Sequence, residues 1–179
     1  MHIKREVELD MDKEILKSNF FTLISDLEIK CKVCEHEPVL DFEKAAEIDA
    51  RFGLVGKETK SLFIKGKCGK YYIYMTTEDR RMDSKKIKQL VNEKVSVVNS
   101  EDMKNILGCE PGCIPPFGYG VDLIDTIIVD KSIKSYDRVI CSCGIPEMTI
   151  EMDTKDLDNI LKNSYTNVIE YDEDIFENI

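Results

Sequence analysis

The chain has 179 residues, of which 42% are hydrophobic and 34% are charged, and its formal net charge is −10. This apolar content suits one folded domain and is too high for an intrinsically disordered chain. No run of about 18 apolar residues occurs, and the charged N-terminus MHIKREVELD lacks the apolar stretch of a signal peptide, so we expect a cytoplasmic protein with no membrane partner.

The first half of the chain predicts two helices, a short strand and a hairpin. Apolar residues recur every three or four positions from Asp12 to Leu27, which indicates an amphipathic helix. Residues 29–36 alternate between apolar and polar like a strand, and 42–53 contains helix formers that end at a glycine. Segments 60–66 and 70–76 are rich in β-branched and aromatic residues and predict the hairpin.

The second half predicts three helices and three further strands. The helices are expected over 83–92, from Ser100 to Gly108 and from Asp153 to about Lys162, and the strands over 123–130, 137–142 and 147–153. The tail 168–179 allows one more edge strand. No repeat or Gly/Ser linker divides the chain, so the pattern predicts a single α/β domain with a mostly antiparallel or mixed sheet.

The seven cysteines raise the question of a metal site. They occur as Cys31-x2-Cys34, Cys109-x3-Cys113, Cys141-x-Cys143 and Cys68. A structural zinc site needs four converging ligands, whereas Cys31 and Cys34 of one strand would face opposite sides. We therefore expect buried, reduced thiols and neither metal nor cofactor, with a zinc site and a redox pair as the alternatives.

A basic segment lies within this acidic chain. Between Lys57 and Lys94 eleven basic residues stand against five acidic ones, a charge of +6 that leaves −16 for the rest. Such a run is either a solvated face or a surface that contacts nucleic-acid phosphates. The sequence alone does not separate these two interpretations.

The segment LGCEPGCIPPFG, residues 107–118, holds three glycines and three prolines. It predicts either a rigid connection or a loop in which Gly112 lets backbone amides approach a ligand carbonyl while two prolines fix their direction. Lys60 has two interpretations as well: a surface charge, or an ammonium group that holds a phosphate or a developing negative charge. His2 and His36 are the only histidines and lie far before the loop, which disfavours a histidine-based nucleophile mechanism.

Several segments occur together in the order and spacing of a known family. They are 34–47, 58–75, 80–90, 107–118 and 127–130. Through them the chain resembles the YbaK/ProX family, free-standing relatives of the editing domain of bacterial prolyl-tRNA synthetases that hydrolyse mischarged aminoacyl-tRNA. The resemblance covers about residues 14–163 of a single domain spanning 1–179 and leaves 164–179 as an acidic C-terminal extension. It implies a mixed, mostly antiparallel, barrel-like sheet flanked by helices.

The resemblance also implies a site between the lysine strand and the Gly-x3-Pro loop. Lys60 and Gly112 are the implied catalytic positions: amides near Gly112 would polarise the ester carbonyl, and Lys60 would position the terminal nucleotide and steady developing charge. Water or the substrate's own 2′-hydroxyl would be the nucleophile. Substrate-binding positions would be His36, Phe42, Ser61, Cys113, Ile114, Pro115, Pro116, Ser142 and Thr149. Lys65, Lys67 and Lys85 would contact tRNA phosphates.

Two late positions bear on the expected substrate. Ser142 is typical of the cysteinyl-specific type, whereas Thr149 stands where that type has an aspartate, and the N-terminal half is closer to ProX. We therefore expect a trans-editing hydrolase for Ala- or Cys-tRNA(Pro) or Cys-tRNA(Cys), with aminoacyl-tRNA as its partner and prolyl-tRNA synthetase as a second one to test. The alternative is a catalytically silent binding module of the same fold that senses an amino acid or charged tRNA.

Overall fold

The computed structural model describes residues 11–172, so the charged N-terminus and the last seven residues of the acidic extension lie outside the described part. The helices are α1 Lys13–Asp26, α2 Phe42–Phe52, α3 Ser84–Val91, α4 Ser100–Leu107 and α5 Thr154–Ser164. The strands are β1 Cys31–Glu35, β2 Lys57–Gly66, β3 Tyr71–Thr77, β4 Val95–Val97, β5 Thr126–Asp130, β6 Arg138–Ser142, β7 Met148–Asp153 and β8 Asn167–Tyr171. A short 3₁₀ helix spans Lys131–Ser135.

Local capping sets several of the helix bounds. The Asp12 carboxylate accepts the Ile15 amide at 2.8 Å, and the Asp41 carboxylate accepts the Lys44 amide at the same distance, so each satisfies one free N–H of a first turn. Gly53 ends α2 with φ of +64°, a left-handed conformation that costs glycine little. The caps explain why these short helices start and stop where the sequence predicts.

The strands form one mixed sheet in the order β1-β7-β6-β2-β3-β5-β8, with β4 paired to β2. The β1–β7, β6–β7, β2–β3 and β2–β4 pairs are antiparallel, and β2–β6, β3–β5 and β5–β8 are parallel. The mixed, mostly antiparallel α/β domain of the sequence analysis is thereby confirmed.

Strand β2 joins the two halves of the sheet. Its first residues, Lys57 and Glu58, pair with Val139 and Ile140 of β6, while the following residues pair with β3. A strand paired on both sides cannot slide without breaking two ladders. Side chains at the start of β2 are therefore held on a rigid part of the fold.

The main hydrophobic core lies between the sheet, α1, α5 and the loop over 107–118. Its buried side chains include Leu16 and Phe20 of α1 and Phe63 of β2. Phe20 stacks on Phe117 with ring centroids 4.3 Å apart, which fastens the loop to α1. Burying one such side chain contributes about 1.5–3 kcal/mol.

The structure adds elements that the sequence analysis does not predict. Strand β4 has only three residues, too short for an alternation pattern to register, and its position is set by pairing with β2. The helix predicted to open at Ser100 is capped one residue earlier, by the Asn99 side chain, which accepts the Asp102 amide at 2.9 Å.

Within residues 11–172, the helices are too short or too polar to cross a bilayer.

Candidate active site

A cavity of about 230 Å³ opens between β2, the start of α2, the ends of β6 and β7, and the loop over 107–118. Of the eleven predicted catalytic and substrate-binding residues, those that line it are Phe42, Lys60, Ser61, Gly112, Cys113, Ile114, Ser142 and Thr149. These residues come from five separate segments of the chain. The fold thus brings the lysine strand and the Gly-x3-Pro loop to the same space.

Lys60 lies on the β2 wall with its ammonium group fixed. Its Nζ donates to the Glu78 carbonyl oxygen at 3.3 Å. Partial burial lowers the pKa of Lys60, and the nearby positive charge of Arg81 lowers it further, against the smaller opposing effects of Asp79 and Glu78. The positive charge of Lys60, with Arg81 near it, makes this side of the cavity suited to an anionic group.

Two backbone amides belong to loop residues that line the cavity and have no acceptor within residues 11–172. Gly112 adopts φ of +87°, which an L-residue rarely takes, and the Cys113 amide turns back to the Glu110 carbonyl at 3.1 Å. Among the residues that the structure describes, the amides of Gly112 and Ile114 have no protein acceptor. Unpaired amides beside a cavity are suited to polarise a bound carbonyl.

Four side chains, three of them from elsewhere in the chain, anchor the carbonyl groups of this loop. The bonds run from Ser142 Oγ to Cys113 O (3.0 Å), Tyr119 OH to Pro115 O (2.6 Å), Tyr165 OH to Pro116 O (2.6 Å) and Asn19 Nδ2 to Gly118 O (2.9 Å). Each hydroxyl or amide fixes the direction of one peptide unit. The loop is therefore preorganised before any ligand arrives.

Pro115 and Pro116 lie outside the cavity lining. Both are buried, and their carbonyl groups are the ones bound by Tyr119 and Tyr165. Their place in the structure is to stiffen and anchor the loop behind the cavity. The sequence pattern could not show the contact with Tyr165, which lies 49 residues from Pro116 and is brought to the loop only by the fold, whereas Tyr119 follows Pro115 by four residues.

His36 reaches the site through Thr149. Its Nδ1 lies 2.7 Å from the Glu37 carbonyl oxygen and its Nε2 lies 2.8 Å from Thr149 Oγ1. A carbonyl can only accept, so Nδ1 carries a proton and, in the neutral ring, Nε2 accepts the Thr149 hydroxyl. Thr149 lines the cavity, and His36 holds it in one orientation.

Apolar side chains form the outer wall. Phe42, at the first turn of α2, is 45% exposed, and the neighbouring Leu40 is 59% exposed. Ile114 of the loop and Met148 of β7 extend this surface inside the cavity. A small apolar group bound here would be in contact with several hydrocarbon side chains.

A carboxyl group that the sequence analysis overlooks also lines the cavity. Glu58 lies two residues before Lys60, on the same face of β2, and its carboxyl group is hydrogen-bonded to Asp49 of α2. Burial raises the pKa of Glu58, and the charge of Asp49 raises it further. The i, i+2 spacing from Lys60 is the sequence signal that could have identified this residue.

The buried cysteines at the cavity and near it are poorly suited to thiolate chemistry. All seven are free thiols, and burial raises the pKa of Cys113 to about 11 and that of Cys143 to about 11. A neutral thiol is a poor nucleophile at physiological pH. Over residues 11–172, no group of three or more His, Cys, Asp or Glu side chains could hold a metal ion.

The three lysines predicted to contact tRNA lie away from the cavity. Lys65, Lys67 and Lys85 are all exposed. Lys65 is five residues along β2 from Lys60, about 17 Å at the rise of a strand, and alternation places the two side chains on opposite faces. Other cations of the basic segment are paired with carboxylates: Lys57 with Glu78 at 2.9 Å, Lys70 with Asp125 at 2.9 Å and Arg80 with Asp130 at 3.3 Å.

Comparisons with known proteins agree with this fold. The family model of the aminoacyl-tRNA editing domain matches residues 36–160. The prolyl-tRNA editing protein ProX of Acetoanaerobium sticklandii is 24% identical over 158 residues, which cover 86% of this chain and 93% of that protein. The uncharacterized protein YwhH of Bacillus subtilis is 28% identical over 98 residues, which cover 55% of this chain and 61% of that protein.

Two solved structures share the fold. The hypothetical protein APE2540 has a TM-score of 0.70 at 18% identity and covers 84% of this chain and 97% of its own. A proposed trans-editing enzyme for prolyl tRNA synthetase has a TM-score of 0.66 at 21% identity, covering 87% of this chain and 95% of its own. The chain belongs to the aminoacyl-tRNA editing domain family. It is by class an aminoacyl-tRNA deacylase, and the resemblance stated in the sequence analysis is confirmed.

Proposed function

We propose that this protein is a trans-editing hydrolase that deacylates tRNA(Pro) mischarged with alanine or cysteine, or cysteinyl-tRNA(Cys). The observation that carries the proposal is the small cavity in which Lys60 and the unpaired amides of the Gly112 loop line the same space. Ester hydrolysis needs donors aimed at the carbonyl oxygen where negative charge develops. The loop supplies such donors on a braced backbone.

The cavity dimensions favour a small aminoacyl group. Its volume of about 230 Å³ is below the roughly 300–1,000 Å³ of pockets for drug-sized ligands, and hydrocarbon side chains form much of its wall. A hydrolytic sieve of this kind serves where hydrophobic discrimination of about 1–3 kcal/mol per methylene is too weak for accurate charging. Alanine and cysteine have the small side chains that such a cavity would accept.

The residues support a mechanism without a protein nucleophile. Burial keeps the Cys113 thiol neutral, and the Ser142 hydroxyl is bound to the loop carbonyl. Water or the terminal 2′-hydroxyl would therefore attack the ester carbonyl. The Gly112 and Ile114 amides would stabilise the oxyanion, and Lys60 would hold the terminal nucleotide and steady the charge that develops.

The exposed lysines are the proposed contacts to the body of the tRNA, beyond its acylated end. Lys65, Lys67 and Lys85 would contact phosphates of the acceptor stem in an otherwise acidic protein, which makes binding sensitive to salt. We further propose that the protein works in the cytoplasm beside prolyl-tRNA synthetase. Copurification of the two proteins at moderate salt would test this association.

The decisive experiment follows ester loss from four substrates. Purified protein and its Lys60→Ala variant are incubated with alanyl-, cysteinyl- and prolyl-tRNA(Pro) and with cysteinyl-tRNA(Cys). The expected result is loss of an alanyl or cysteinyl ester while prolyl-tRNA(Pro) stays intact, with no loss in the variant, and the ester that is lost would name the amino acid. A folded wild-type protein that leaves all four esters intact would refute the proposal.

A further inference from the structure

The Asp49–Glu58 pair places a negative charge in the wall of the cavity. Glu58 lines the cavity and contacts Asp49 through their carboxyl groups. Two carboxylates in contact repel each other, so the pair retains one proton and carries a net charge of about −1. Burial and the nearby charge of Glu78 both favour this half-protonated state.

Other buried carboxylates in the protein have donors of their own. Glu151 accepts the Val55 amide at 2.8 Å and the Gly56 amide at 2.7 Å. Asp130 likewise accepts from the Thr76 hydroxyl at 2.7 Å. These groups are balanced within the fold and do not need a ligand.

The cavity pair lacks such a partner. Within residues 11–172, neither Asp49 nor Glu58 forms an ion pair, and the buried Asp49 Oδ1 has no hydrogen-bond donor. The neighbouring titratable groups are Glu78, Glu151 and His36, and the first two add negative charge. A partly buried charge without a counter-ion is costly, so a cation brought by the ligand would be stabilised here.

The charges along β2 match the charges of an aminoacyl ester. Lys60, with Arg81 near it, attracts the anionic nucleotide, and Glu58 lies two residues away, about 7 Å along the strand. Every aminoacyl-tRNA with an unblocked amino group carries an α-ammonium group next to its ester carbonyl. We propose that Glu58, supported by Asp49, binds the α-ammonium group of the substrate.

This inference rests on the proposed function, because the cavity must accept the aminoacyl ester. It gives the carboxyl pair a role separate from side-chain selection, which belongs to the apolar wall. The protein should then accept only esters with a free amine. An ester of an α-hydroxy acid, which carries a neutral hydroxyl in place of the ammonium, would be a poor ligand.

The test compares two tRNA(Pro) ligands that cannot be hydrolysed. Each ends in 3′-amino-3′-deoxyadenosine, acylated through an amide with alanine in one case and with lactic acid in the other. Dissociation constants are measured at pH 6.5, where the α-amino group is protonated. Wild-type protein is compared with Asp49→Asn, Glu58→Gln and the double variant, and Glu101→Gln on the exposed face of α4 is the matched control.

The double variant is the informative one. Either single substitution leaves one carboxyl group free to ionise, so a preference for the alanyl ligand should persist. In the double variant neither residue of the pair can carry a charge. The preference for the alanyl ligand, expected to be at least about tenfold in wild-type protein, should therefore fall to parity. Amides replace carboxyl groups of the same shape, and circular dichroism checks that the fold is kept.

Three outcomes would overturn the assignment. These are a wild-type protein that binds both ligands equally, a double variant that keeps the preference, and a double variant that weakens both ligands by the same factor. Hydrolysis of alanyl-tRNA(Pro) is measured separately. A clear preference for the amine without hydrolysis would support the ammonium site and refute the proposed deacylation, so the two failures are distinguishable.

Discussion

Replacing Gly112 with alanine tests whether the loop amides act on the ester carbonyl. A Cβ at this position would lie 3.3 Å from the carbonyl oxygen of Leu40, so the loop or the cavity wall must move by a few tenths of an ångström. The left-handed φ of +87° adds a backbone cost of about 1–2 kcal/mol for an L-residue. Because both effects turn the amides away from the carbonyl, kcat should fall about 10²–10³-fold, the effect of losing one oxyanion donor.

Gly120→Ala is the matched control. Gly120 has a similar φ of +77°, but no atom lies within 4 Å of its Cβ position. Both variants should therefore lose about 1–2 kcal/mol of stability, which lowers Tm by about 2–8 °C in a chain of this size. Only Gly112→Ala should lose activity, and Gly120→Ala should stay within about twofold of wild type.

The assay is single-turnover loss of the ester from alanyl-tRNA(Pro), with a thermal melt of each variant by circular dichroism. Equal losses of activity in the two variants would attribute the effect to stability. A folded Gly112→Ala variant with a rate close to wild type would show that the loop is not the carbonyl-binding device.

Three further predictions concern tRNA binding, loop anchoring and pH. Reversal of Lys65, Lys67 and Lys85 to Glu should weaken tRNA binding. It should also flatten the plot of log K against log salt by about 2–3 units of slope, because each lost phosphate contact removes about 0.7–0.9. Reversal of the exposed Lys30, Lys155 and Lys162 is the control, and an equal effect there would contradict the assignment. Ser142→Ala removes the hydrogen bond to the Cys113 carbonyl and should lower kcat about 2- to 12-fold with little change in KM. Ser164→Ala, which loses a hydrogen bond to the Ile160 carbonyl within α5, is the control and should leave kcat unchanged when both variants are assayed on the same substrate. Burial raises the pKa of Glu58 from 4.5 to about 9, so the folded protein holds this proton more tightly than the unfolded chain does. The free energy of unfolding of wild type, relative to that of Asp49→Asn/Glu58→Gln, should therefore decline as the pH rises from 5 to 9, which urea denaturation measures. A difference that stays constant with pH would contradict the shared proton.

The sequence predicts the elements of this fold well because local signals agree with tertiary structure. The caps Asp12, Asp41 and Gly53 and the alternation of the hairpin strands are local features, and the structure places helices and strands there. Strand β4 escapes prediction because its three residues depend on pairing with β2. The residues that set the position of β4 are those of β2, in another part of the chain.

The candidate site is predictable only in part. Lys60 and Gly112 carry a recognisable spacing, and the fold brings both to one cavity. The pair formed by Asp49 and Glu58 could not be foreseen as a unit, because one residue lies on a helix, the other on a strand, and only packing joins them. A contact of this kind leaves no pattern in a single sequence.

The anchors of the loop bear on where a functional fragment of this protein could be cut. The family model spans residues 36–160, yet Asn19 and Phe20 of α1 and Tyr165 after α5 hold the loop from outside that span. A fragment trimmed to the matched residues would keep Lys60 and Gly112 but lose the groups that orient the loop. Its amides would then sample many directions, and the shortest active fragment should extend from Asp12 to at least Tyr165.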